Sequence, residues 1–129
     1  MNCWLGSRDM NSGVGPLPAE PGYRTFVMEN ETALIGTATL WTFADENEAT
    51  IDDPWWLVTM NNSMPFASFP ATRHARGYNL SFADGHVERW NLLDPNTTFN
   101  PSKGSQQPIS PLNTDWLRLK QASSVQLSQ

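Results

Sequence analysis

The chain has 129 residues, which is room for one domain with a modest core, and its formal net charge is −5. Its eight Lys and Arg residues are scattered singly along the sequence, which argues against a nucleic-acid partner. Charged residues make up only 16% of the chain, and this composition is typical of a loop-rich β-protein outside the cytoplasm.

The sequence shows neither a disulfide framework nor a membrane span. Cys3 is the sole cysteine, so it cannot form an internal disulfide. The longest mostly apolar stretch, residues 33–41, is far shorter than the roughly 20 residues that cross a bilayer. The first residues also lack the basic start and apolar run of a secretory signal. We therefore expect no membrane segment and no leader within this chain.

The first half of the chain predicts one helical turn and two strands. Residues 1–22 are rich in glycine and proline, and we interpret them as an extended lead-in. Residues 29–35 fit a short helical turn or a loop. Residues 39–44 alternate in the manner of a buried strand that is rich in β-branched and aromatic side chains. Residues 55–58 are a second apolar strand candidate.

The Asp84-Gly85 dipeptide between two alternating runs predicts a β-hairpin. We expect a two-residue type I′ turn, in which both central residues have positive φ. This turn would pair Phe82 with Val87 and place both side chains in the core. The opposite face would then carry Asn79, Ser81, His86, Glu88 and Trp90.

The last part of the chain predicts a loop, a helix and a tail. Four prolines mark residues 95–111 as a long loop. Residues 113–115 can cap a short helix, and residues 121–129 read as a disordered tail. Residues 1–129 thus form one α+β domain, mainly an antiparallel β-sheet, with a central hairpin at Asp84-Gly85, short helices and long loops.

A longer motif surrounds this hairpin. His74 is separated from Asp84-Gly85 by nine residues, and this spacing resembles the H-X9-DG signature of the prepilin-type processing-associated proteins, a family of type IV pilin-like or pseudopilin-like envelope proteins. The resemblance covers roughly residues 35–120. Three further parts of the sequence are similar to the family: the acidic segment at residues 43–46 and 51–53, the FADGHVE run at residues 82–88, and the short helix at residues 115–119.

The resemblance implies a structural or assembly role and no enzymatic activity. The chain would be a subunit of a type IV pilus or type II secretion-like apparatus. Its partners would be other pilin-like subunits or secretion-apparatus proteins, on the periplasmic or cell-surface side of the cell envelope. Such proteins begin with a cleavable leader and a long apolar anchoring helix, which this sequence lacks. We therefore interpret it as the C-terminal globular portion of an anchored parent.

The histidines of this region are candidate zinc ligands. Two imidazoles and a carboxylate, those of His74, His86 and Asp84, are a plausible ligand set for a zinc-like ion. The alternative is that His74 hydrogen-bonds Asp84 or a backbone carbonyl and fixes the incoming loop to the hairpin. A small hydrolase built on the two histidines is a further hypothesis, and it requires a concave pocket.

The acidic segment is a candidate calcium site. Oxygen ligands at short spacing suit calcium, although the spacing is not that of an EF-hand. The alternative is a solvated acidic loop, and we expect no resident cofactor. The candidate ligands are Asp45, Glu46, Asp52 and Asp53.

Three tryptophans are candidate binding aromatics. Trp55 and Trp56 are adjacent and cannot both face one core if this segment is a strand. One of them, or Trp90 on the polar face of the hairpin, could stack on a sugar or on a partner subunit, and the alternative is packing against the Pro-rich loop. The rival function is therefore a metal- or glycan-binding module of the cell envelope.

Overall fold

A small antiparallel sheet organises the fold. The structure, a computed structural model, describes residues 1–6, 20, 22–73 and 75–128. Within these residues, the sheet has three strands in the order β1-β2-β3, which confirms the α+β class with a mainly antiparallel sheet. The elements are a 3₁₀ helix at Glu29–Leu34, β1 at Trp41–Ala44, β2 at Gly77–Phe82, β3 at Val87–Asn91 and the helix α1 at Thr114–Gln121.

The hairpin between β2 and β3 turns at Asp84-Gly85, but its loop has three residues. The Gly85 amide donates to the carbonyl of Phe82, and the Phe82 amide donates to the carbonyl of His86, both at 2.9 Å. Gly85 has a φ of +91°, whereas Asp84 is not in the left-handed region. This is a three-residue loop that ends in a left-handed glycine, so the prediction of a two-residue type I′ turn is wrong.

The longer loop shifts the pairing of β2 with β3 by one residue relative to the predicted pairing. Ser81 pairs with Val87, and Tyr78 pairs with Trp90. A shift of one residue moves every side chain of a strand to the other face of the sheet. Trp90 is therefore buried, and Val87 is 67% exposed. The prediction that Val87 lies in the core and Trp90 on the opposite face is wrong.

A bulge in β1 changes which face its side chains occupy. Trp41 pairs with Phe82 and Phe43 pairs with Ser81, so the register shifts between the two β1 residues. A bulge reverses the alternation of side chains beyond it. Trp41 is consequently fully buried, whereas Phe43 is 59% exposed on the outer face of the sheet.

The helix α1 is positioned by its N-cap and by its apolar face. The Asn113 side chain accepts hydrogen bonds from the amides of Asp115 and Trp116, both at 3.0 Å, which satisfies two free donors of the first turn. Trp116 and Leu119 are fully buried in the core. The predicted capped helix is confirmed.

Both ends of the described chain are part of the core. The Asn2 side-chain amide donates to the carbonyls of Trp41 and Ser123, at 3.0 and 3.2 Å. The Trp41 indole N–H donates to the hydroxyl of Ser123 at 2.7 Å. Residues 122–124 are buried and the Leu127 amide donates to the carbonyl of Gly22 at 2.7 Å, so the structure differs from the predicted disordered tail in this segment, and residues 1–6 contribute to the core. Most of the remaining predicted lead-in, residues 7–19 and 21, lies outside the described residues.

The second strand candidate does not form a ladder. Within the described chain, residues 55–58 contribute one isolated bridge, between Asn2 and Trp56. Trp56 lies in the core and stacks with Tyr78, with ring centroids 6.0 Å apart. Among the residues that the structure describes, no helix has the length and hydropathy that a transmembrane segment requires.

Candidate functional site

Alternate side chains along the turn and β3 form a hydrogen-bonded chain, which we call the edge row: Asp84, His86, Glu88 and Trp90. The two ring nitrogens of His86 contact different carboxylates, Nδ1 that of Asp84 at 2.5 Å and Nε2 that of Glu88 at 3.1 Å. The Trp90 indole N–H donates to the second oxygen of Glu88 at 2.7 Å. Alternate residues of a strand point to one face, so His86, Glu88 and Trp90 are aligned along β3, and the register shift places them on the same face as Tyr78 and Leu80.

The edge row joins the tip of the hairpin to α1. The His86 ring lies on Phe82, with centroids 4.4 Å apart. At the other end, the Arg118 guanidinium of α1 lies 3.8 Å from the centroid of the Trp90 ring, in cation–π geometry. A continuous set of polar and aromatic contacts thus connects the turn to the helix.

The charges of the edge row stabilise one another. The hydrogen bond to Asp84, followed by the one to Glu88, raises the pKa of His86. The same bond to His86 lowers the pKa of Asp84, and the Trp90 N–H, followed by His86, lowers the pKa of Glu88. These side chains are 35 to 46% exposed, so water screens their interaction. The row favours a protonated imidazole between two ionised carboxylates.

The candidate zinc set is only partly placed. Asp84 and His86 are in contact, but His74 lies outside the described residues, so both the zinc hypothesis and the latch hypothesis remain predictions. In the arrangement described above, both ring nitrogens of His86 face carboxylate oxygens. Among the described residues, the edge row included, no group of three or more His, Cys, Asp or Glu side chains could hold a metal ion.

The acidic segment does not bring its side chains together as one ligand group. Asp45 accepts hydrogen bonds from the side chain and backbone amides of Asn79, at 2.9 and 3.3 Å. Glu46 is half-buried and accepts from the Thr50 hydroxyl at 3.0 Å, and burial raises the pKa of this carboxyl. Asp52 and Asp53 lie instead at the border of a cavity. Asp45 thus has its own surroundings, whereas Glu46, Asp52 and Asp53 lie around one cavity.

The three candidate aromatics have different positions. Trp56 is 1% exposed and belongs to the core, and Trp90 belongs to the edge row. Trp55 is half-buried and borders a cavity of about 340 Å³ together with Asp52 and Asp53. Trp90 borders a smaller cavity of about 230 Å³, so Trp55 is the candidate with the larger space beside it for a ligand.

A buried polar cluster escaped the sequence analysis. Asp115 is 3% exposed, and its carboxylate accepts hydrogen bonds from the amides of Leu93 and Asp94 and from the Thr97 hydroxyl, at 2.9, 3.0 and 2.6 Å. It ties the start of α1 to the chain that leaves β3. The Asn-Thr-Asp run signalled a cap, but the sequence carried no sign of these distant donors.

Comparisons with known proteins identify no relative of this chain. The chain matched no family model, no curated protein and no solved structure. Its function is therefore inferred from its own residues and their geometry.

Proposed function

We propose that this chain is the globular part of a pilin-like subunit, in a type IV pilus or a type II secretion-like apparatus of the cell envelope. One observation carries the proposal: the spacing of nine residues between His74 and Asp84-Gly85, next to a FADGHVE run. The left-handed φ of Gly85, +91°, gives a physical reason for a glycine at this position of the motif.

The outer face of the sheet supports a role in assembly. Phe43 and Val87 are 59% and 67% exposed there. Their strands lie on either side of β2, on which Ser81 pairs with both residues. Subunits of an assembly bury apolar side chains of this kind against their neighbours.

The position of β3 at the edge of the sheet gives a second support. In the described part of the chain, β3 pairs with β2 alone and is an edge strand. The outward N–H and C=O groups of an edge strand are a template for a strand of another chain. A neighbouring subunit has both an apolar face and a backbone edge to bind.

Site-specific photo-cross-linking tests the proposal. A photoreactive amino acid replaces Val87 in the full-length gene product, expressed in its native cells, and cross-linked partners are identified by mass spectrometry. We expect a cross-link to an envelope protein with its own leader and apolar N-terminal helix. The same label at Leu112, which is 79% exposed on a loop, is the matched control and should give no such product. Cross-links at Val87 to cytoplasmic proteins alone would contradict the proposal.

A further inference from the structure

The cavity beside Trp55, which we call the Trp55 cavity, has features of a small-ligand site. Its volume of about 340 Å³ falls at the lower end of the roughly 300–1,000 Å³ that is usual for such sites. It therefore suits a ligand the size of one long side chain. Its border includes the two carboxylates at the end of the acidic segment and their neighbours in sequence, together with residues from distant parts of the chain such as Cys3 and Ser105.

The interior of the Trp55 cavity is neutral and partly apolar. Trp55 and Met64 line it together with the buried side chains of Cys3 and Ser68. Burial raises the pKa of the Cys3 thiol to about 11, so this group is uncharged at neutral pH. The Ser68 hydroxyl oxygen accepts a hydrogen bond from the Leu57 amide at 2.9 Å, which fixes its position. The cavity thus offers apolar contact and fixed hydroxyl groups.

The described side chains that border the Trp55 cavity carry negative charges only, while the N-terminal ammonium of Met1 lies nearby, donates to the carbonyl of Pro54 at 2.7 Å and offsets part of the charge of Asp53 and Glu46. Asp52 and Asp53 are exposed at its border, and among the described residues no Lys, Arg or His lines it. The Asp53 carboxylate accepts the Trp55 amide at 2.7 Å, which holds the carboxylate next to the indole and occupies one of its two oxygens. Glu46 lies behind the lining residue Thr50, to which it is hydrogen-bonded. Such a field repels anions and attracts cations.

We propose that the Trp55 cavity binds a primary ammonium or guanidinium group on an apolar stem. The stem would lie against Trp55 and Met64, and the cation would lie between the carboxylates and the indole, where ion pairing and cation–π attraction act together. The carboxylates alone would be a solvated acidic segment. The cavity and Trp55 add the enclosed space and the apolar contact that a ligand with an apolar stem requires. The cation comes either from a free amine or from a Lys or Arg side chain of a partner protein. This inference is independent of the pilin-like proposal.

Titration of the purified full chain with defined probes tests the proposal. The free probes are cadaverine and agmatine, and a capped Gly-Lys-Gly peptide represents a partner side chain. The neutral control is 1,5-pentanediol, which has the same stem without the charge. The readout is the indole N–H signal of Trp55 in NMR spectra, assigned with Trp55→Phe. We expect saturable shifts with the amines, weaker at higher salt, and none with the diol.

Variants separate the charge from the fold. Asp52→Asn keeps the hydrogen bond between Asp53 and Trp55, and we expect it to weaken amine binding about fivefold. Glu29→Gln, at an exposed position in the 3₁₀ helix, is the matched control and should leave binding unchanged. Binding of the peptide as well as the free amines would identify a partner side chain as a source, whereas binding of the free amines alone would identify a small molecule. Equal binding of the diol, or amine binding that Asp52→Asn leaves unchanged, would overturn the proposal.

Discussion

The imidazole of His86 lies flat on the ring of Phe82, with centroids 4.4 Å apart and ring planes 5° apart. Phe82 ends the strand before the turn, and His86 follows the turn, so their stacking closes the hairpin. It also places His86 on the face that carries the buried Trp90. The edge row lies on the same face of the sheet as Tyr78 and Leu80 because the hairpin loop has three residues, which determines the register of β3.

Gly85 should be sensitive to any side chain. No described atom lies within 4 Å of a Cβ built at this position, so the only cost of Gly85→Ala is its left-handed backbone. We expect a loss of about 1–2 kcal/mol in the free energy of unfolding. Gly85→Asn should lose less, because asparagine tolerates this conformation. Urea unfolding of both variants measures the difference, and equal stability of Gly85→Ala and the parent chain would contradict the turn.

The register of the hairpin predicts opposite effects at two β3 residues. Val87→Asn should change the free energy of unfolding by no more than about 0.5 kcal/mol, because Val87 is 67% exposed. Trp90→Ala should cost about 3 kcal/mol or more, because this ring is buried against Tyr78. Chemical denaturation of the two variants decides between the registers. With a two-residue turn, Val87→Asn would lose more unfolding free energy than Trp90→Ala.

The edge row predicts the titration of His86. NMR titration should give His86 a pKa above the ordinary histidine value, and Asp84→Asn should lower it, because the hydrogen bond to Asp84 is the main cause of the rise. Glu88→Gln should lower it less. His86→Gln assigns the signal. If the pKa of His86 is the same in Asp84→Asn as in the parent chain, the hydrogen bond between Asp84 and His86 does not exist in solution.

The same groups give stability a pH dependence. The contribution from His86 is fully present below the ordinary histidine pKa of about 6.5 and is lost as pH rises through its raised pKa. The contributions from Asp84 and Glu88 are present above the ordinary carboxyl values and are lost as pH falls through their lowered pKa values. The row should therefore stabilise the fold most between about pH 4.5 and about pH 6.5. The difference in stability between the parent chain and His86→Gln, measured across pH, should be largest in this range.

Asp115 should be a large contributor to stability. Asp115→Ala leaves the part-buried amides of Leu93 and Asp94 without their acceptor, and each such loss costs about 1–3 kcal/mol. Thermal and urea unfolding should show a loss of about 3 kcal/mol or more. Glu29→Ala, at an exposed position, is the control and should be nearly neutral. A neutral Asp115→Ala would mean that these amides find other partners.

The docking of the tail can be tested at Ser123. Ser123→Ala removes the acceptor of the buried Trp41 indole N–H and should cost about 1–3 kcal/mol. Ser128→Ala removes an exposed hydroxyl nearby in sequence and should leave the free energy of unfolding unchanged. Protease sensitivity of residues 122–127 should rise only in the first variant. If both serines behave alike, the tail does not contribute to the core.

Local signals predicted the parts of this fold that depend on neighbours in sequence. Asp84-Gly85 placed the hairpin turn, and Asn113 placed the start of α1, because turns and caps form within a few residues. The sequence did not determine the turn type, because Asp-Gly is compatible with both two-residue and three-residue loops. Packing of Trp90 against Tyr78 favours the longer loop, and that contact depends on the whole core.

Distant contacts explain the remaining errors. Trp41 and Ser123 are 82 residues apart in sequence, so nothing near Ser123 indicated that its hydroxyl was needed. The bulge at β1 likewise placed Phe43 outside and Trp41 inside, although simple alternation treats them as equivalent. The side chains of the acidic segment were predicted as one group, but Asp45 is held by Asn79 and Glu46 by Thr50.

The sequence of the coding region upstream of Met1 tests the pilin-like assignment most directly. The proposal predicts, in the same reading frame, a short leader followed by about 20 predominantly apolar residues, enough for a helix that crosses a bilayer. An in-frame stop codon directly before Met1, or an upstream sequence that encodes a polar domain without such a helix, would contradict it.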